Sequence, residues 1–170
     1  MSLARIAAIV TCRDLGRTLD EAVHSLQRQT RPASELLIVD DGSTDVYTRQ
    51  VVARLERDGL RIAHGPGRGA SAARNLGAAM TSSEYLVWLD ADDTLEPTYF
   101  EEAFRILEAN DSVTWVSSWL RMFGDEDWEW KPERRDRATL LGEQTVCTPA
   151  PVRRAAVVAI GGYDQRMPTE

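Results

Sequence analysis

Two short apolar runs that each stop abruptly in a cluster of carboxylates constrain this chain most. Glu35 to Val39 runs into Asp40-Asp41-Gly42-Ser43-Thr44-Asp45, and Tyr85 to Leu89 runs into Asp90-Ala91-Asp92-Asp93. Runs this short and apolar suit strands buried on both faces, the environment of a parallel sheet covered by helices. Between them the period changes. After the apolar run Arg5 to Cys12, Leu19, Ala22, Val23 and Leu26 recur at the i, i+3, i+4, i+7 spacing of one helix face, and Pro32 closes that region. Val46 to Arg57 is the next predicted helix and Leu60 to Ala63 a brief strand. Ala73, Leu76, Gly77 and Met80 mark a third helical face, and Phe100, Ala103, Phe104 and Leu107 a fourth.

Strands alternating with helices predict an α/β fold, a Rossmann-like, mainly parallel sheet flanked by helices with right-handed crossovers. Ligands of such sheets bind outside the carboxyl ends of the strands, where both acidic clusters fall. After Asn110 the rhythm changes. Val113 to Met122 and Trp128 to Lys131 read as strands about a turn at 123–127, and a short helix signal follows at 152–159, together a mixed-sheet C-terminal extension. Trp115, Trp119, Trp128 and Trp130 are assigned to buried packing or cross-strand contacts rather than to stacking on a sugar.

Bulk properties exclude several classes. The formal charge is -7 and Lys131 is the only lysine, so broad attraction to nucleic acid is not expected and any phosphate site must be local. No apolar run approaches the roughly 20 residues that cross a bilayer, and no signal peptide is visible. Cys12 and Cys147 each stand alone, which fits reduced thiols in a cytoplasmic protein. His24 and His64 are given structural roles.

Asp90 and Asp92 stand at the end of a predicted buried strand. Two carboxylates about 4 Å apart repel by about 4 kcal/mol at an effective dielectric near 20, so the pair invites a divalent cation, and hard oxygen ligands select Mg2+ or Mn2+. The competing expectation is that they cap the helix beginning near Pro97. Asp40 and Asp41 either help start the helix at Val46, with Asp45 or Ser43 as its cap, or accept a base N–H or ribose hydroxyls. Arg68 and Arg74 flank a glycine-rich turn whose backbone N–H groups can meet phosphate. That turn does not follow the first strand, so it is not a dinucleotide fingerprint.

Taken in order, Ile9 to Asp14, Gln29-Thr30 with Pro32, LIVDDGSTD over 37–45, GASAARNLG over 69–77, YLVWLDADD over 85–93 and Gly161-Gly162-Tyr163-Asp164 resemble the blocks of family 2 glycosyltransferases. The resemblance implies a GT-A fold and transfer of a sugar, with inversion, from a nucleotide-diphosphate sugar to an acceptor hydroxyl. It implies that Thr11 and Asp41 contact the nucleoside, that Arg74 helps hold the diphosphate end, and that Asp90 and Asp92 form a metal-binding DXD motif, Asp90 also lying near the ribose. A UDP-sugar is the implied donor. Arg13-Asp14 stands where the family has an aromatic residue and asparagine; an arginine plane still stacks on a base, which leaves uracil, guanine and thymine open. Glu170 is the implied general base, the first member of an acidic pair after the Gly-Gly-aromatic-Asp block.

On this reading residues 1–170 form one domain cut short at its C-terminus, with the nucleotide-binding part in 1–110 and the start of an acceptor-side part in 111–170, and the truncated chain is expected to be weakly active. The acceptor, whether carbohydrate, lipid or protein, is not specified. The implied location is the cytoplasm, including the inner membrane face by peripheral contact. Two alternatives stand beside it: a nucleotide-sugar-binding module without catalysis, and a haloacid-dehalogenase-type phosphohydrolase, since Asp90-Ala91-Asp92-Asp93-Thr94 also reads as a DxDxT nucleophile motif. The latter would need Lys131 as its catalytic lysine.

Overall fold

The computed structural model describes residues 5–131 and 147–166. Its elements run β1 (Ile6–Cys12), α1 (Leu19–Gln27), β2 (Glu35–Asp40), α2 (Val46–Arg57), β3 (Arg61–His64), α3 (Ala70–Ala79), β4 (Tyr85–Asp90), α4 (Tyr99–Ala109), β5 (Leu120–Met122), β6 (Trp128–Trp130), β7 (Val152–Arg153) and α5 (Arg154–Ala159). The main sheet has the order β3-β2-β1-β4-β7. β1 pairs in parallel with β2 and β4, β2 with β3, and β7 alone runs antiparallel, against β4.

All seven residues of β1 are buried, because the strand lies at the centre with helices on both faces. Successive side chains of a strand point to opposite faces. Ala8, Val10 and Cys12 accordingly enter one core with α1, α2 and α4, while Ala7 and Ile9 enter the other with Ala73 of α3 and Trp88 of β4. The reversal of strand order between β1 and β4 opens the crevice in which such sheets bind ligands.

Two consecutive arginines fasten the C-terminal segment to both layers. Arg153 donates to the carbonyls of Leu107 (2.6 Å) and Val113 (2.9 Å) and to the Tyr85 hydroxyl (3.0 Å). Arg154 donates to the carbonyls of Ala78 (2.6 Å) and Ser83 (2.5 Å) and to Thr81 Oγ1 (2.8 Å). Leu107 and Ala78 lie in the last turns of α4 and α3, where unpaired carbonyls and the helix dipole favour a cation.

Three expectations change here. Residues 113–122 do not form one strand: β7 takes the edge of β4, leaving Trp115 a single bridge to Val152, and pairing resumes only in the separate β5–β6 hairpin. Met80 is the C-cap of α3 and is 44% exposed, so the buried stripe of that helix is Ala73 and Gly77. Trp128 and Trp130 do face Met122 and Leu120 across the hairpin, but Trp115 (44% exposed) and Trp119 (67%) are not accounted for by packing.

Glu35 ties β2 to the turn before β4. Its carboxylate accepts from the N–H groups of Ser82 and Ser83 at 3.0 and 2.8 Å, from Ser83 Oγ at 2.5 Å, and from Arg61 at 3.3 Å. Burial pushes this carboxyl up, but the hydrogen bonds from Ser83, Ser82 and Arg61 together outweigh it and bring it down to about 2. A folded-state value below the unfolded one gives stability that is present above about pH 4.5 and lost as pH falls toward 2. Denaturant unfolding at pH 7 and pH 2.5 is expected to show this loss, on the order of 2 kcal/mol, and Glu35→Gln is expected to remove it. Parallel pH profiles for the two proteins would contradict the assignment.

Candidate functional site

Register brings the strand ends together: Thr11 stands beside Asp90 on β4, and Cys12 beside Asp40 on β2. Thr11 Oγ1 donates to Asp90 Oδ1 at 2.8 Å, and Arg74 Nη2 reaches both oxygens of Asp90 at 3.0 and 3.1 Å. Arg74 comes from α3, whose N-terminus is freed by Gly69 at φ 92°. Its backbone carbonyl accepts from Trp88 Nε1 at 3.0 Å, and its guanidinium lies over the Tyr163 ring, 5.4 Å from the centroid. Arg74 Nε is buried and, among the described residues, has no hydrogen-bond partner.

The next residue closes the cluster. Asn75 Nδ2 donates to the Tyr163 carbonyl at 2.8 Å, and the Tyr163 N–H returns to Asn75 Oδ1 at 2.9 Å. The Tyr163 ring meets Trp88 edge-on at 5.2 Å. Gly161 and Gly162 hold φ of 79° and 80°, and a Cβ at Gly162 would fall 2.5 Å from Asn75 Oδ1. Two adjacent glycines are therefore needed to turn the chain after α5 and seat Tyr163 under Arg74.

The β2 end behaves differently from expectation. Asp41, buried, accepts from the N–H groups of Gly67 (3.0 Å), Arg68 (3.3 Å) and Gly69 (2.6 Å). The N–H groups that the sequence offered to phosphate are thus already bound by a carboxylate, which a buried anion requires. The Arg68 side chain is exposed, and among the described residues it meets no carboxylate. Asp40 accepts from the Ser43 N–H at 3.1 Å and lies 3.6 Å from His64 Nδ1. Neither Asp40 nor Asp41 caps α2; Asp45 does, accepting from the Thr48 N–H at 2.7 Å.

Arg13 is exposed, with Nη1 3.4 Å from the Gly67 carbonyl. Asp14, at φ 56°, accepts from the N–H groups of Thr44 and Asp45, both at 2.7 Å, and so locks the first loop to the second. Those bonds, led by that from Asp45, hold its carboxyl below the usual range. Asparagine and aspartate are the side chains best tolerated in left-handed backbone, so aspartate can serve where the family has asparagine.

Asp90 and Asp92 do not cap α4, whose N-cap is Thr98. Asp92 is exposed and free of partners among the described residues. Burial first, then repulsion from Asp92 and Asp90, pushes Asp93 up to about 6. No group of three or more His, Cys, Asp or Glu suited to a metal occurs among the described residues. Asp90 and Asp92 offer two hard carboxylates, a donor set compatible with a small cation that completes its shell with water and phosphate oxygens. Cys12 at the end of β1 is buried and pushed up to about 11, chiefly by burial, which removes it as a nucleophile. Glu170 lies outside the described residues.

Asn75 and Tyr163 lie within blocks visible in the sequence, yet their pairing across 88 residues carries no local signal. Lys131, the lysine that the phosphohydrolase alternative needs, pairs at Nζ with Glu129 at 2.7 Å and sits over the Trp119 ring, beside the β5–β6 hairpin.

Crevice, strand-end carboxylates and supporting arginine together define the class of GT-A-fold glycosyltransferases. Residues 7–158 match the family described as glycosyl transferase family 2, and the chain belongs to that enzyme family. It is 30% identical over 143 residues to the uncharacterized glycosyltransferase YibD of Escherichia coli, covering 81% of this chain and 41% of that protein. It is 27% identical over 124 residues to an uncharacterized glycosyltransferase of Haemophilus influenzae, covering 72% and 38%. The chain thus spans about two fifths of the length of these relatives.

Among solved structures, S. aureus TarS 1-349 in complex with UDP superposes with a TM-score of 0.73 at 20% identity, covering 95% of this chain and 51% of that one. The mannosyltransferase PcManGT of Pyrobaculum calidifontis, in complex with GDP-Man and Mn2+, gives 0.73 at 21%, covering 97% and 49%. Within the described residues no helix is long and apolar enough to cross a membrane.

Proposed function

We propose that this chain is the donor half of an inverting glycosyltransferase that takes a nucleotide-diphosphate sugar with Mn2+ or Mg2+ at Asp90 and Asp92. The observation that carries the reading is Asp90 itself: a carboxylate held by Thr11 and Arg74 where β1 and β4 end side by side, with Asp92 two residues on exposed and unpartnered among the described residues. The UDP and the GDP-Man with Mn2+ held by the two structural neighbours support the substrate class and the metal.

In this reading Thr11, Asp40 and Asp41 face the nucleoside, and Arg13 offers a guanidinium plane beside the base. Arg74 and Arg68 neutralise the diphosphate. A divalent cation there supplies Lewis-acid stabilisation of the charge on the leaving group. The acceptor oxygen forms its bond to the anomeric carbon as the bond from that carbon to the diphosphate oxygen breaks, the electron pair leaving with the diphosphate. The hydroxyl proton passes to a carboxylate base, the role proposed for Glu170.

Calorimetric titration of UDP, GDP and dTDP with Mn2+, repeated after chelation, tests the donor site. One nucleotide is expected to bind and to lose affinity on chelation. Absence of binding by all three in folded protein would refute the reading.

A further inference from the structure

Asn75 has no place among the donor contacts, yet it follows Arg74 on α3 and its amide meets both backbone groups of Tyr163. Nδ2 donates to the Tyr163 carbonyl at 2.8 Å and Oδ1 accepts from the Tyr163 N–H at 2.9 Å. Facing residues of two antiparallel strands exchange the same two bonds, and an amide, unlike a carboxylate, presents donor and acceptor together. Gly161 and Gly162 close the preceding turn on α5 itself, donating to the carbonyls of Val158 and Val157 at 3.1 and 3.0 Å. Among the described residues, the hydrogen bonds that carry 161–166 across to an element other than α5 are the two made by Asn75. What this pairing holds is the Tyr163 ring, which meets Trp88 edge-on at 5.2 Å and lies under the Arg74 guanidinium, 5.4 Å from the centroid. Arg74 is thus fixed at one edge by Asp90 and from below by the ring.

We infer that Asn75 is a positioning residue for the donor diphosphate, acting through Tyr163 on Arg74. The inference rests on the donor reading above, in which Arg74 neutralises the diphosphate. A guanidinium over an aromatic face is favoured there by a factor of roughly two to thirty. Paired N–H donors recognise phosphate best when their plane is set before the ligand arrives. Without the Asn75 amide both Tyr163 backbone bonds are lost, the turn after Gly162 is no longer tied to α3, and Arg74 keeps its acid partner but not the ring beneath it. Asn75 therefore governs how well the diphosphate is gripped while touching no part of the donor.

The test measures UDP, GDP and dTDP with Mn2+ by calorimetry, and the corresponding nucleosides by ligand-observed NMR, in the unmodified protein, Asn75→Ala, Tyr163→Ala and the double variant. Alanine is the better helix former, so α3 is expected to persist in Asn75→Ala. Asn75→Asp has the same shape, keeps the acceptor and loses the donor, and provides a second probe of the same pairing. Each Asn75 variant is expected to weaken the nucleoside diphosphate roughly tenfold and to leave its nucleoside within about twofold, because Arg74 meets only the diphosphate end. The double variant is expected to bind as Tyr163→Ala does, since a residue that acts through another adds nothing once that other is gone. Equal losses for nucleotide and nucleoside would mean a general loosening of the fold and would overturn the proposal. So would losses that add in the double variant, or diphosphate affinity unchanged in both Asn75 variants. Failure of the donor reading is seen separately, as absence of binding of all three nucleotides by the unmodified protein.

Discussion

Asp92→Ala is expected to weaken Mn2+-dependent nucleotide binding at least a hundredfold while leaving the unfolding midpoint unchanged. The side chain is exposed and bonds to nothing among the described residues, so its removal belongs with surface substitutions that change stability by no more than about 0.5 kcal/mol. A cation at the proposed site would draw, among the described residues, on Asp90 and Asp92 and would lose one of the two. Asp90→Ala separates the two kinds of effect. It removes the carboxylate that accepts from Thr11 and Arg74, leaving that guanidinium without its acid partner, so binding and stability are both expected to fall. Calorimetry and thermal unfolding on both variants check this. Wild-type metal dependence in Asp92→Ala would remove that residue from the metal site.

Gly77→Val is expected to cost about 3–4 kcal/mol, a large share of the 5–15 kcal/mol that holds a domain together. Two effects oppose one another at this position. Replacing a glycine inside a helix by alanine gains about 1 kcal/mol from backbone propensity, and valine gains less. Against this, a Cβ at Gly77 would press into Ile9 Cγ2 and lie 3.3 Å from both Ile9 Cδ1 and Val39 Cγ2. Ile9 and Val39 are fully buried on neighbouring central strands and have no room to retreat, so the clash wins. Gly77→Ala should fall between wild type and Gly77→Val in denaturant midpoint. A rise in stability for either variant would show that α3 can move off the sheet at little cost.

The alternation of elements was legible because burial imposes it residue by residue. Ile6–Cys12 is apolar throughout because the central strand has no solvent face, and Leu19, Ala22, Val23 and Leu26 recur at helical spacing because α1 buries one stripe. The acidic strand ends were legible for the same reason, since charge cannot continue into the core. The hairpin about 123–127 and the helix at 154–159 were legible in outline, but the limits of β5 and β6 and the pairing of β7 were not. These strands are two or three residues long, too short for a period to emerge, and β7 is defined by the edge it joins rather than by its own composition. Arg153 and Arg154 carry no local signal of their role, which the carbonyls at the ends of α4 and α3 supply.

By itself the sequence determined the sheet, its covering helices and the placing of Asp40, Asp41, Asp90 and Asp92 at strand ends, because these follow from local apolar period and from where that period stops. The tertiary structure decided what each carboxylate does. Asp41 closes on the Gly67–Gly69 turn and Asp45 caps α2, Asp90 is gripped by Thr11 and Arg74, and Asp92 is left open. Four chemically identical side chains take four roles because a carboxylate's function is set by the donors around it, and those donors arrive from elements tens of residues away.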